Sequence, residues 1–163
     1  MMRAMGILSE EFDIKYELVG GGKKSFLESE AIKYGVKDKV VFMGQLTHEE
    51  IFQWIDGLDF YIQPSMQEGL PRSLIEAMSR ACPAIGSTTA GIPELIDSDY
   101  IFTRGSVKSL TRVMRKTFSA GLEDIAERNF EKSKVFQMDI LRERRELLYK
   151  QYLRTVMDKR NDK

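Results

Sequence analysis

Residues Asp59 to Ser87 read DFYIQPSMQEGLPRSLIEAMSRACPAIGS. The apolar run DFYIQPS reads as a buried strand that Pro64 ends. A polar loop follows, then a helix starting near Pro71 and running to about Arg80, then a short strand from Pro83 to Ser87. Strand, helix and strand at these lengths point to parallel strands joined by right-handed crossovers. The segment also holds two glutamates, Glu68 and Glu76, eight positions apart. Carboxylates are poor core residues, but each can accept hydrogen bonds from two neighbouring sugar hydroxyls.

The same alternation extends toward the N-terminus. KVVFMG (Lys39 to Gly44) is a nearly continuous apolar run, expected to be a strand covered on both faces. Thr47 and Glu50 form a Thr-x-x-Glu capping box, so a helix starts there and runs to about Asp56. KYELVG (Lys15 to Gly20) reads as another strand. The helix after it places Phe26, Leu27, Ala31 and Tyr34 at near-helical spacing and stops at Gly35. The opening MMRAMGILSEEF reads as part of an amphipathic helix. On the other side, GIPELI begins a helical turn and Tyr100 to Phe102 is a last short strand. From Val107 onward the pattern is helical, with an apolar stripe that includes Leu141, Leu148, Tyr152 and Val156. The final DKRNDK (158–163) is expected to fray. The fold expected is α/β, a doubly wound parallel sheet with a helical C-terminal tail.

Composition narrows the function. At 163 residues the chain is long enough for one domain with a sizeable core. Lys plus Arg equals Asp plus Glu, at 25 each, which gives no long-range field for nucleic acid. One cysteine, Cys82, excludes an internal disulfide and fits a reducing compartment, so a cytoplasmic location is expected. With one histidine, His48, it makes a Cys/His metal site within the chain a poor expectation, and no metal or cofactor is expected. No apolar run reaches the length of a spanning helix. His48 is expected at the surface, Cys82 as a small core residue, and the nine methionines as core filler.

Open parallel sheets bind ligands beyond the carboxyl ends of their strands. That places Gly20 to Gly22, Gly44-Gln45-Leu46, Ser65 to Pro71 and Ser87 to Gly91 around a candidate site. Glycine lets backbone N–H groups approach an oxyanion. The helix starting near Pro71 offers free N–H donors and a positive dipole end, suited to phosphate, with Pro71 at its first position and Arg72 as possible added charge. Glu76, over one turn in, fits a ribose diol; Glu68, in the loop, fits a sugar at the opposite end. Spacing alone favours two solvated carboxylates over a site.

The string VVFMGQLTHEEIFQWIDGLDFYIQPSMQEGLPRSLIEAMSRACPAIGSTTAGIPELI resembles the C-terminal half of GT-B glycosyltransferases of family 4, the large retaining group. Val41 to Gly44, Leu58-Asp59, Pro64-Ser65, Glu68-Gly69, Glu76-Ala77-Met78, Cys82-Pro83 and Ala90-Gly91 to Glu94 carry the likeness. It implies a Rossmann-like domain binding a nucleotide diphosphate sugar without metal. In it, Glu76 meets the ribose diol and Glu68, taken as the catalytic-site residue, meets the donor sugar. The backbone of Gly69 and Leu70 approaches sugar and diphosphate, Gly20 and Gly22 lie at the strand end, and Gly44, Gln45 and Leu46 lie by the base. Leu70-Pro71 departs from the family's Phe-Gly and removes one N–H.

The resemblance further implies transfer of a hexose to a glycan or lipid-linked acceptor, in capsule, exopolysaccharide or lipopolysaccharide synthesis. It implies that the acceptor domain and the family's basic pair for the diphosphate precede this chain, which is expected to be inactive by itself. The charged tail is expected to contact that missing domain rather than the inner membrane face. A binding module that does not catalyse, and an epimerase of like architecture, are the alternatives.

Overall fold

The computed structural model describes residues 1–161, with side chains described through residue 157. The chain runs α1 (Met2–Leu8), β1 (Tyr16–Val19), α2 (Ser25–Lys33), β2 (Val40–Gly44), α3 (His48–Asp56), β3 (Tyr61–Gln63), α4 (Arg72–Ser79), β4 (Ala84–Ser87), α5 (Ile92–Leu95), β5 (Ile101–Phe102), α6 (Val107–Ser119), α7 (Leu122–Ser133) and α8 (Met138–Asn161). Every strand pairing is parallel. The hydrogen bonds form two sheets, β1–β2 and β3–β4–β5, with the free edges of β1 and β3 lining one cleft.

Local chemistry explains the elements that frame the cleft. Thr47 caps α3 by accepting from the Glu50 N–H at 3.3 Å, while the Glu50 carboxylate accepts from the Thr47 N–H at 2.7 Å. Such a reciprocal pair satisfies two donors a bare helix end leaves orphaned. Gly44 ends β2 with φ +78°, a left-handed turn that suits glycine. In β4, a Cβ on Gly86 would sit 2.4 Å from Ile92 Cγ2, so only glycine lets α5 lie this close to the strand.

The core is continuous. Met5, Leu8, Leu74, Met78, Ile85, Ile92 and Met114 are fully buried and join both sheets to their helices. Each such side chain contributes about 1.5–3 kcal/mol on leaving water. β4 is buried at all four residues, as the middle strand of its sheet should be.

Several expectations need correction. Lys39 to Gly44 is not covered on both faces: only Val40 is buried, because β2 is an edge strand of a two-stranded sheet. Phe26 is 70% exposed; Ala31 is the buried residue of α2, with Leu27 and Tyr34 packed beside it. Pro71 is the residue before α4 rather than its first helical residue, with ψ of 113°. The methionines divide: Met2, Met5, Met78 and Met114 fill the core, whereas Met43, Met66, Met138 and Met157 are exposed. The apolar stripe of α8, with Leu148 and Tyr152, faces solvent. Cys82 is buried and His48 exposed, as expected. The fraying expected for 158–163 falls on residues whose side chains lie outside the described part. No helix is long and apolar enough to cross a membrane among the described residues.

Candidate functional site

The site begins at Gln63, the last residue of β3. Its amide oxygen accepts from the Tyr61 hydroxyl at 2.8 Å and the Ser73 hydroxyl at 3.2 Å. Its amide nitrogen donates to Ser65 Oγ at 2.8 Å and reaches Glu68 Oε2 at 3.5 Å, while Ser65 Oγ donates to the same oxygen at 3.1 Å. The hydrogens therefore run in one direction, from Tyr61 through Gln63 and Ser65 to the Glu68 carboxylate. Bonds aligned this way strengthen one another in a half-buried setting.

Ser73 stands in the first turn of α4, and Glu76 follows almost one turn later. Glu76 lines the β1–β3 cleft together with Gln63, Pro64, Tyr61 and Ser73; the cleft is about 660 Å³. Gln63 thus meets Glu68 directly and shares the cleft lining with Glu76; Glu68 is not among the residues that line the cleft, and both glutamates are half-buried. The Tyr61 phenol is held above its ordinary value first by burial, against the opposing Ser73 hydrogen bond, with Glu76 and Glu68 adding in the same upward direction.

The start of α4 carries no side-chain cap, and Gly69, Leu70 and Arg72 are exposed there while Pro71 is buried. Arg72 Nη2 lies 3.9 Å from Glu76 Oε1, one turn along the exposed face. At that distance and exposure the pair contributes little. Three donors fix the loop behind it. Ser87 Oγ and Thr89 Oγ1 donate to the Ser65 carbonyl at 2.7 and 2.8 Å, and Arg104 Nη1 to the Met66 carbonyl at 3.0 Å.

The remaining predicted residues sit across the cleft, at the carboxyl ends of β1 and β2. The Gly20 N–H donates to the Gly44 carbonyl at 2.7 Å, and a Cβ on Gly21 would lie 2.5 Å from Gln45 Nε2. Gly20, Gly22, Gly44, Gln45 and Leu46 therefore form one group, and Glu68 to Arg72 with Glu76 form another. On the cleft wall below the first group, Glu17 Oε2 accepts from Trp54 Nε1 at 2.6 Å, and Glu17 Oε1 pairs with Lys15 Nζ at 2.5 Å. Lys15 and then Trp54 hold the Glu17 carboxyl below its usual range. No cluster of three metal-ligating side chains occurs among the described residues.

Sequence reading missed Gln63, Tyr61, Ser73 and Arg104, and had Ser65 only as the start of a candidate loop. The available signal was a glutamine and a tyrosine inside an otherwise apolar strand, since a polar residue there needs partners.

These features define a Rossmann-like α/β domain of the GT-B kind, its loops gathered beyond the strand ends. Residues 1–119 match the family model for glycosyl transferases group 1, and the chain belongs to that family. It is 33% identical over 113 residues to protein CapJ of Staphylococcus aureus, covering 68% of this chain and 29% of CapJ. It is 31% identical over 121 residues to the amylovoran biosynthesis glycosyltransferase AmsK of Erwinia amylovora, covering 68% of this chain and 30% of AmsK. The chain therefore spans under a third of these relatives' length. Anabaena HepE, solved with UDP and glucose, superposes with a TM-score of 0.75 at 17% identity, over 96% of this chain and 44% of HepE.

Proposed function

We propose that this chain forms the donor-binding domain of a retaining hexosyltransferase that uses a nucleotide diphosphate sugar. The observation that carries the reading is the pair of half-buried glutamates that share Gln63 as a neighbour, Glu68 by hydrogen bond and Glu76 along the cleft lining, with the uncapped start of α4 between them in the chain. Glu76 takes the ribose diol. Glu68 takes the sugar hydroxyls, with its orientation set by Ser65. The free N–H groups at the start of α4 and the Gly69 backbone face the diphosphate, where a helix N-terminus favours an anion. Gly20 and Gly22 approach from the β1 end, and Gly44, Gln45 and Leu46 lie by the base.

In the transfer the bond from the anomeric carbon to the phosphate oxygen breaks and its electron pair stays on the diphosphate. An acceptor hydroxyl oxygen bonds to that carbon, and its proton passes to the departing phosphate oxygen. Donors aimed at the departing phosphate lower the barrier because its charge grows in the transition state. The acceptor is a glycan or lipid-linked sugar of polysaccharide synthesis, held by a second domain that this chain contacts from the cytoplasmic side. The likeness to AmsK and to UDP-bound HepE supports both the polysaccharide setting and the nucleotide.

Thermal melts with UDP, GDP and ADP test the reading. A nucleotide at a hundred times its Kd adds about 2.7 kcal/mol, which raises Tm by about 5–10 °C for a domain this size. One nucleotide giving that rise identifies the base; no rise with any of the three contradicts the reading.

A further inference from the structure

The loop that carries Glu68 is held from two strand ends. Ser87 and Thr89, at the end of β4, donate to the Ser65 carbonyl at 2.7 and 2.8 Å. Arg104, beyond β5, donates from Nη1 to the next carbonyl, that of Met66, at 3.0 Å. Peptide units are planar, so holding two consecutive carbonyls fixes both soft dihedrals of Met66, the residue between those planes. Only Gln67 then separates the held backbone from Glu68, whose carboxylate accepts from Ser65 Oγ at 3.1 Å.

Arg104 reaches its target over a strand. β4 lies between β3 and β5, a span of about 10 Å at 4.8 Å per neighbour. The local fold aims the side chain. The Ser106 N–H donates to the Thr103 carbonyl at 3.0 Å, which closes a four-residue turn with Arg104 second and Gly105 third. Gly105 has φ +73°, a left-handed geometry that glycine accepts at the third place of such a turn. The Arg104 N–H donates to Thr88 Oγ1 at 3.1 Å, and the Thr103 N–H to Ser109 Oγ at 2.9 Å. A Cβ on Gly105 would meet Met66 Cε at 3.6 Å, so the Met66 side chain also lies against this turn. The guanidinium pairs with no carboxylate among the described residues, which leaves the Met66 carbonyl to set its direction. Ser87 and Thr89 are buried, whereas Arg104 is exposed, so it can be replaced without opening the core.

We propose that Arg104 is a positioning residue for the donor sugar: by holding the Met66 carbonyl it sets where the Glu68 carboxylate stands. It acts through Glu68 and does not touch the ligand. This role rests on the reading that Glu68 takes the sugar hydroxyls, and it extends that site to the far edge of the β3–β4–β5 sheet. A carboxylate that grips two neighbouring hydroxyls has to stand within about 0.5 Å of its productive place, which a loop reaches only when its backbone is held.

The test is a double-variant cycle on the full chain, read by titration calorimetry. The probes are UDP and UDP-glucose, GDP and GDP-mannose, and ADP and ADP-glucose. The quantity read is the Kd of the nucleotide divided by the Kd of its sugar conjugate, a ratio from which any general weakening of the domain cancels. Arg104→Met keeps the stem of the side chain and removes the donor. For the pair that the native chain binds, the ratio is expected to fall roughly three- to tenfold in Arg104→Met, the effect of about one hydrogen bond, with the bare nucleotide within about twofold of native. In a Glu68→Gln background the same change should move the ratio by less than about 1.5-fold, because residues acting through one another are not additive. An unchanged ratio in Arg104→Met overturns the proposal. So does an equal fall in both backgrounds, which would put Arg104 on the sugar itself, or an equal loss for nucleotide and conjugate, which would mark a structural role alone. A native chain that binds none of the probes contradicts the donor reading and this role with it; a native chain that binds while the cycle fails contradicts this role alone.

Discussion

The backbone N–H of Gly91 donates to the carbonyl oxygen of Gly69 at 2.9 Å, which ties the loop after β4 to the loop that carries Glu68. A Cβ on Gly91 would stand 2.8 Å from that oxygen and 3.2 Å from Leu70 Cα. The contact is with backbone, so it cannot be relieved by a side-chain rotation. The φ of Gly91 is −74°, so alanine is penalised by crowding and not by its dihedral angle. Gly91→Ala is expected to cost about 1–3 kcal/mol of stability and to weaken nucleotide binding by displacing the loop. Gly121→Ala, with nothing within 4 Å of its added carbon and φ of −65°, is the matched control and should leave Tm nearly unchanged.

Gln63→Ala removes the link from Tyr61 and Ser73 to Ser65 and Glu68. Titration calorimetry should show the affinity for the nucleotide sugar falling roughly three- to tenfold, the loss of about one hydrogen bond. The nucleotide lacking its sugar should bind nearly as before. Equal losses for both ligands would mean that Gln63 acts on the fold of the loop and not on Glu68.

Burial pushes the Cys82 thiol up to about 12. An unfolded thiol titrates near 8.5. Below that pH both states keep the proton and the group does not affect stability. Between about 8.5 and 12 the unfolded chain releases a proton that the folded chain retains, so stability declines as pH rises. Denaturant melts should show a steeper decline between pH 8.5 and 10 for the native chain than for Cys82→Ala, and the native thiol should resist a disulfide reagent at pH 8.

Thr47→Ala breaks the capping box of α3, which also carries the cleft residues Ile51, Trp54 and Ile55. The expected cost is about 1 kcal/mol, read as a Tm about 2–4 °C lower. Thr47→Ser should restore most of it.

The parallel strands were legible because each is short and largely apolar, and β1, β2 and β3 are closed by Gly20, Gly44 and Pro64. The Thr47–Glu50 box fixed the start of α3 to the residue. The division into two sheets was not legible, because an apolar run such as KVVFMG reads alike at an edge and in a centre; the difference lies in what pairs beside it. Phe26 misled for a related reason: Ala31 is small enough to bring α2 close, and it turns Phe26 outward. Glu68 and Glu76 could be singled out from their position around a helix start, while Gln63 could not, since its partners come from Tyr61, Ser65, Ser73 and Glu68, gathered only when β3 and α4 meet.

The most direct measurement is a nitrogen–proton spectrum of the chain titrated with the nucleotide that raises its Tm. The expected perturbations fall on Gly69, on Arg72 through Glu76, and on Gly44 and Gln45 across the cleft, and they vanish in Glu76→Ala. Perturbations confined to α6–α8, or an unchanged pattern in Glu76→Ala, would contradict a donor site between these strand ends.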